Sequence, residues 1–255
     1  MSKIELTILL PAFAAGLIVL STHVPLGTEV LRRGIIFIDL AIAQVAGLGV
    51  IAADRLGFEP SGIKVQVSAV SAALLVSLLL NWTHRRWPDV QEALIGICFV
   101  MAAAAGILLL AGNPHGGENL RELLVGQILW VTFDQLVPVI VVNAIILALW
   151  YRFRDRMVGL PFYILFAFAV TTSVQLVGIY LVFASLIIPA LATLRIERRL
   201  ERLGSGYLVG GAGFALGLGL SAWLDLPSGA VIVWTLAGVA IVFSKLRSIA
   251  SRPTP

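Results

Sequence analysis

The chain has 255 residues, of which 59% are hydrophobic and only 13% are charged, with 18 Lys and Arg against 14 Asp and Glu. A soluble domain of this size carries about 25% charged residues, so the composition excludes a soluble globular protein. The net charge of +4 comes from short basic clusters between apolar runs, which indicates loop topology in a membrane rather than binding of nucleic acid.

Apolar runs long enough to cross a bilayer, roughly 17 to 25 residues, recur from end to end. They lie at 4–22, 35–53, 63–82, 90–111, 133–151, 160–193, 204–223 and 228–246. The run at 160–193 is too long for one span, and Gly178 in "QLVGIY" predicts a break into two short helices. Placing every basic cluster in the cytoplasm requires an even number of crossings between residues 156 and 195. The sequence therefore predicts an all-α, polytopic transmembrane bundle of eight or nine spans, nine preferred, forming a single domain over residues 1–255.

Asp39 lies within the apolar run "RRGIIFIDLAIAQVAGLGV" at residues 32–50. A carboxylate at the centre of a membrane helix costs about 2.5–3.5 kcal/mol on insertion scales, so such residues face a cavity or pair with a cation. Two interpretations stay open for Asp39. It faces a transport pathway, or it forms a structural ion pair with Arg32, seven residues earlier on the same helical face.

Other polar side chains lie at membrane depth. Gln44 follows Asp39 by five residues, Asn143 interrupts a later run, and "TTSVQ" spans residues 171–175. Amides and hydroxyls in membrane helices more often hydrogen-bond neighbouring helices than line a path. Gly213 and Gly217, four residues apart, predict close helix packing.

The three histidines fall near predicted span ends or in loops. His23, beside Pro25, is predicted to lie at the interface where the first span ends, and His84 in an interfacial basic and aromatic belt. His115 precedes Glu118 by three residues in a predicted outward loop at 112–122. An imidazole and a carboxylate can hold a divalent cation weakly, and a solvated loop is the alternative.

Several motifs of soluble enzymes are absent. The sequence contains no GxxxxGK[ST], GxSxG, HExxH or CxxC pattern, and its one cysteine, Cys98, excludes a cysteine-based metal cluster. We therefore expect no enzymatic activity and no nucleotide-binding motif. Energy for transport would come from a partner subunit or from an ion gradient.

The segment "QLVGIYLVFASLIIPALATL" (175–194) resembles the signature of permease subunits of zinc/manganese-type ABC importers. Val177-Gly178 and Ser185 to Ala190 carry that match. Three further segments agree in order with the family pattern: "PLGTEVLRRGIIFIDLAIAQVAGLGV" (25–50), "EALIGI" (92–97) and "LLVGQILWVTFDQL" (123–136). The resemblance extends to about residue 246.

This resemblance implies a homodimeric permease of the bacterial inner membrane that imports zinc, manganese or iron, or a complex of the metal. It also implies a cytoplasmic ABC ATPase and an extracytoplasmic metal-binding protein as partners, besides membrane lipid, with the metal as substrate and no bound cofactor. The implied transport-pathway residues are Asp39, Gln44, Ser185 and Pro189. The implied metal ligand is Asp39, beside His115 as the candidate from the loop pattern, and the implied ATPase-coupling residues are Arg152, Arg154 and Asp155.

The sequence departs from the family pattern at two places. Family members place a histidine four residues after the aspartate, where this chain has Ala43, and Gln44 is the candidate for a shifted equivalent. An amide oxygen is a harder ligand than imidazole, which favours manganese, iron or a chelate over free zinc. The cytoplasmic stretch after Trp150 is also short. Either the docking element is compressed into Arg152–Pro161, or coupling to an ATPase has changed.

Two other classes of function stay open. A membrane scaffold or sensor derived from such a permease is favoured by the short stretch after Trp150, and retention of Asp39 and "ASLIIPA" argues against it. A carrier driven by an ion gradient would need a proton or sodium relay, for which Asp39 alone is little support.

Overall fold

The computed structural model describes residues 3–58, 62–111, 113 and 116–250, and within these ranges it contains ten α-helices and no strand. The helices are α1 (Lys3–Arg33), α2 (Ile38–Arg55), α3 (Ile63–Arg86), α4 (Gln91–Leu110), α5 (Gly116–Val125), α6 (Phe133–Phe153), α7 (Leu160–Val177), α8 (Ile179–Ala192), α9 (Arg199–Leu224) and α10 (Ser228–Ala250). The predicted all-α bundle is confirmed.

Seven segments within the described ranges are long and apolar enough to cross a membrane, and they correspond to α1, α3, α4, α6, α7, α9 and α10. Helices α2 and α8 do not meet this standard of length and apolar composition. Helix α2 has 18 residues but carries Asp39, Asp54 and Arg55, and α8 has only 14 residues. Helix α7 is the most enclosed of the seven, with 67% of its apolar window buried against 22% for α4, α6 and α10. The bundle therefore has α7 at its centre.

The predicted break in the 160–193 run occurs at Gly178, between α7 and α8. Gly178 has φ +79°, a conformation that favours glycine, and its backbone packs directly on that of Gly126, which has φ +74°. A Cβ atom on Gly126 would lie 2.2 Å from the carbonyl oxygen of Val177. The hairpin is thus set by two glycines that let the backbones meet.

Helix α1 continues past the predicted end of the first span, residue 22, to Arg33. Pro25 lies inside it and has no N–H to donate to the carbonyl of Ser21, four residues back. The hydroxyl of Tyr207, in α9, donates to that carbonyl at 3.0 Å. The helix continues because a distant side chain satisfies the group that the proline leaves free.

The predicted outward loop at 112–122 is partly wrong, because Gly116–Val125 forms the short helix α5. This helix has only 10 residues, and Leu120, Leu123 and Leu124 recur at helical spacing along it. The prediction for Gly213 and Gly217 is confirmed. A Cβ on Gly213 would lie 2.5 Å from the side chain of Leu236, and one on Gly217 would lie 2.7 Å from Ile232, so α9 and α10 pack closely.

Candidate translocation site

Asp39 lies in the first turn of α2 and is 0% exposed. Neither of its carboxylate oxygens has a hydrogen-bond partner. The alternative of an ion pair with Arg32 is wrong, because the guanidinium of Arg32 contacts Glu29 at 2.5 Å on its own helix. Asp39 is therefore a buried carboxylate without a compensating side chain, and a buried charge of this kind is costly unless a cation or proton joins it.

The position of Asp39 at the start of α2 offsets part of the cost of burying its charge. Phe37, which precedes the helix, supplies no side-chain cap, so the first amides of α2 have no side-chain acceptor there. The backbone N–H groups of Asp39 and Leu40 lie near enough to the carboxylate to favour its charged form, although neither reaches hydrogen-bond geometry. A negative charge at a helix N-terminus gains about 0.3–1 kcal/mol, which is less than the cost of burying it. A further positive partner is still needed.

Glu92 is the second carboxylate at this place, and the sequence analysis did not single it out. It lies in the first turn of α4, and its Oε1 accepts a hydrogen bond from the backbone N–H of Ile36 at 2.7 Å. Its Oε2 is buried without a partner, and the carboxylate is close enough to Asp39 to repel it electrostatically. The ends of α2 and α4 thus bring two acidic side chains together.

Gln44 lies five residues further along α2, at 6% exposure, and its Oε1 is buried without a partner. At about 100° per residue, Gln44 points roughly 140° away from Asp39 around the helix. Ala43 lies on the side of Asp39 and is fully buried. Gln44 as a ligand beside Asp39 stays a prediction.

Ser185 and Pro189 lie on α8 and are buried. The Ser185 hydroxyl donates to the carbonyl of Val182 at 3.0 Å, so its oxygen accepts from Nδ1 of His23 at 2.8 Å. His23 thereby carries a proton on Nδ1, and its Nε2 is buried without a partner. Helix α1 continues through Pro25 and holds His23, fully buried, against α8, and the interfacial depth of this histidine stays a prediction.

The four predicted pathway residues occupy two helices. Asp39 and Gln44 lie on α2, while Ser185 and Pro189 lie on α8, which packs mainly against α1 and α10. The rings of Phe37 and Phe183 stack at 6.1 Å and join the start of α2 to α8. On the α1 side the two backbones nearly touch, because a Cβ on Gly27 would lie 2.0 Å from the carbonyl oxygen of Leu186.

Asn143 hydrogen-bonds a neighbouring helix, as most amides in membrane helices do. Its Nδ2 donates to the carbonyl of Ile18 at 2.9 Å and so ties α6 to α1. The interhelical interpretation is confirmed for this residue.

The predicted coupling residues lie where α6 ends. Arg152 is in the last turn of α6, and Arg154 opens a 3₁₀ turn at Arg154–Arg156. Asp155 belongs to the same turn, and its side chain lies outside the described part of the structure. Arg154 contributes to a cavity of about 240 Å³ between the ends of α1 and α6 and the start of α9. The cavity is lined by Pro25, Thr28, Glu29, Trp150, Arg154, Glu197, Arg199, Arg202 and Leu203.

The remaining candidate ligand, His115, lies outside the described residues. Across the described ranges, no group of three or more His, Cys, Asp and Glu side chains is arranged to hold a metal ion.

A profile of the ABC 3 transport family matches residues 5–162 and 154–247. The chain belongs to the ABC 3 transport family. The manganese transport system membrane protein MntC of Halalkalibacterium halodurans is 26% identical over 250 residues, which cover 89% of this chain and 84% of that protein. The chelated iron transport system membrane protein YfeC of Yersinia pestis is 30% identical over 205 residues, covering 72% of this chain and 68% of that protein.

The fold also agrees with a solved structure. PsaBC from Streptococcus pneumoniae in complex with Fab aligns with a TM-score of 0.73 at 22% identity, over 93% of this chain and 89% of the matched chain. The ABC 3 family profile matches in two pieces that overlap at residues 154–162. This overlap covers the segment between α6 and α7 and the first residues of α7, within the stretch predicted to be shorter than in the family.

Proposed function

We propose that this chain is the permease subunit of an ABC importer for a divalent metal ion or its complex, in the bacterial cytoplasmic membrane. The observation that carries the proposal is the Asp39 carboxylate, fully buried in the first turn of α2 without a hydrogen-bond partner. Ionisable side chains at membrane depth either pair with another group or mark the path of an ion or substrate, and Asp39 has no side-chain partner.

The transported ion would meet oxygen ligands at this place. Asp39 offers one carboxylate and Glu92 offers the free Oε2 of a second. With Ala43 in place of the family histidine, these hard donors favour manganese or iron over zinc. The names of MntC and YfeC, which refer to manganese and chelated iron, agree with this choice.

Energy would come from a separate ATPase subunit, because the sequence has no P-loop. The permease would act as a homodimer, with an extracytoplasmic protein delivering the metal. The α6–α7 turn, with Arg152, Arg154 and Asp155, would contact the ATPase. Membership of the ABC 3 family supports this arrangement over a gradient-driven carrier.

The test is metal accumulation in cells that carry the wild-type chain or Asp39→Asn, measured by elemental analysis alongside protein level and membrane insertion. Asparagine keeps the size of the side chain and removes the charge. We expect a loss of about tenfold or more in uptake of one metal, since a ligand has been lost where the ion needs it. Asp54→Asn is the matched control, because Asp54 lies at the other end of the same helix.

Two results would contradict the proposal in different ways. Unchanged accumulation of every metal in Asp39→Asn would remove Asp39 from the path. Unchanged accumulation after deletion of the whole protein would argue for the scaffold or sensor instead.

A further inference from the structure

Arg33 is the last residue of α1, and its guanidinium makes contacts in three directions. Nε donates to Glu29 Oε1 at 2.7 Å, and a second nitrogen donates to the carbonyl oxygen of Met157 at 2.6 Å. The guanidinium carbon lies 3.9 Å from the centre of the Phe162 ring. The side chain is 19% exposed, against 70% for the neighbouring Arg32. Arg33 is therefore held in one position by α1, α7 and the segment between α6 and α7.

Met157 belongs to the α6–α7 turn, residues 154–159. Its side chain is buried, and Gly159, with φ +65°, ends the turn next to the side chains of Asn81 and Arg85 of α3. Phe162, under the Arg33 guanidinium, also packs against Trp150 at a ring distance of 6.1 Å. A movement of this turn would therefore reach Arg33 through both a hydrogen bond and a ring contact.

On the other side, Arg33 leads directly into the α1–α2 junction, residues 34–37. Gly34 has φ +67°, and the N–H of Ile36 is fixed by Glu92 at 2.7 Å. Asp39 follows in the first turn of α2. The junction thus joins Arg33 to Asp39, six residues later, and to Glu92 through the N–H of Ile36.

We propose that Arg33 is a positioning residue that transmits movement of the α6–α7 turn to the junction carrying Asp39. This inference rests on the proposed function, since the ATPase subunit would supply the movement. Arginine suits the role because its planar fork holds a carboxylate and a carbonyl at once, whereas lysine presents one point charge. Arg32 has the same charge and shares Glu29, and the structure gives it no contact with the turn.

The test compares Arg33→Lys and Arg33→Gln with the matched control Arg32→Gln in the assembled transporter. The complex is purified through a tag on this chain and reconstituted in vesicles with its binding protein. Manganese, iron(II) and zinc are supplied together. Metal uptake is read by elemental analysis and ATP hydrolysis by phosphate release.

We expect the ratio of metal imported to ATP hydrolysed to fall about tenfold in both Arg33 variants, within the usual range of coupling between sites. The ratio should stay within about twofold of wild type in Arg32→Gln. A loss of stability would lower uptake and hydrolysis together and leave the ratio unchanged. Arg33→Lys keeps the charge beside Glu29, so it retains folded protein should Arg33→Gln fail to insert.

An equal ratio in the Arg33 and Arg32 variants would overturn the inference and leave the proposed function standing. Loss of the ATPase subunit from the Arg33 variants during purification would also overturn it, because Arg33 would then hold subunits together. A wild-type complex without ATP-driven uptake of any of the three metals would overturn the proposed function, and the inference with it.

Discussion

His23 and Ser185 form a buried hydrogen-bonded pair that joins α1 to α8. The Ser185 oxygen accepts from Nδ1–H of His23, and Nε2 of the histidine has no partner. In Ser185→Ala neither tautomer of the imidazole would have an acceptor for its N–H. Hydrogen bonds between membrane helices are worth about 0.6 kcal/mol on average, and an abandoned buried donor costs more.

We therefore expect Ser185→Ala to lower the free energy of unfolding by about 1–2 kcal/mol. The measurement is thermal or denaturant unfolding of the purified chain in detergent. Ser21→Ala is the control, since the Ser21 hydroxyl bonds only the carbonyl of Ile18 in its own helix, at 2.6 Å. A cost for Ser185→Ala that persists in a His23→Phe background would show that the pair is not its source.

At the scale of the residue, the sequence indicated Asp39 because a carboxylate in an apolar run needs a reason. It did not indicate Glu92, which follows a basic cluster at the start of a run and resembles an ordinary interfacial acid. Its importance comes from the N–H of Ile36, 56 positions away, and from the position of Asp39. Such contacts between distant parts of the chain are not visible in spacing or composition.

Helix α1 illustrates the same limit for a whole element. The apolar run at 4–22 predicted that the first span ends at residue 22, and by local rules Pro25 should interrupt the helix. The hydroxyl that removes the penalty belongs to Tyr207, 182 residues later, so no local pattern contains it. The Gly178 break was predictable, because the run at 160–193 exceeds one membrane thickness and only a glycine adopts the turn without strain.

The interaction between Pro25 and Tyr207 makes a prediction that belongs to helix α1. Tyr207→Phe removes the donor to the Ser21 carbonyl and should lower the free energy of unfolding by about 1 kcal/mol. In a Pro25→Ala background, the N–H of the new alanine would bond that carbonyl, and Tyr207→Phe should then cost nearly nothing. The double-mutant cycle is measured by unfolding in detergent. Equal costs in both backgrounds would mean that the hydroxyl stabilises α9 in some other way.

At the scale of the molecule, the basic residues and the candidate site share one end of the bundle. Counting helices along the chain, α1 and α3 end there with Arg33 and Arg86, and α2 and α4 begin there with Asp39 and Glu92. The α6–α7 turn and the start of α9, with Arg199, join them. The excess of arginine predicts that this end is cytoplasmic. Asp39 would thus lie on the inner part of any translocation path, near the turn proposed to meet the ATPase.

This orientation depends on α7 and α8 crossing the membrane as two separate helices, although α8 has only 14 residues. If they do, Arg156 before α7 and Glu197 after α8 lie on the same, cytoplasmic side. Leu56 after α2 and Leu226 after α9 lie outside. All four side chains are exposed, and Cys98 is the only native cysteine, so a Cys98→Ala background allows single cysteines at each position.

We expect a membrane-impermeant maleimide to label Leu56→Cys and Leu226→Cys in intact spheroplasts, and Arg156→Cys and Glu197→Cys only after permeabilisation. Every labelled variant is checked for normal insertion and, in cells, for metal accumulation. Labelling of Arg156→Cys and Glu197→Cys from opposite sides would mean that the α7–α8 pair makes a single crossing. The basic cluster at 195–202 would then lie outside, against the charge asymmetry that orients membrane helices.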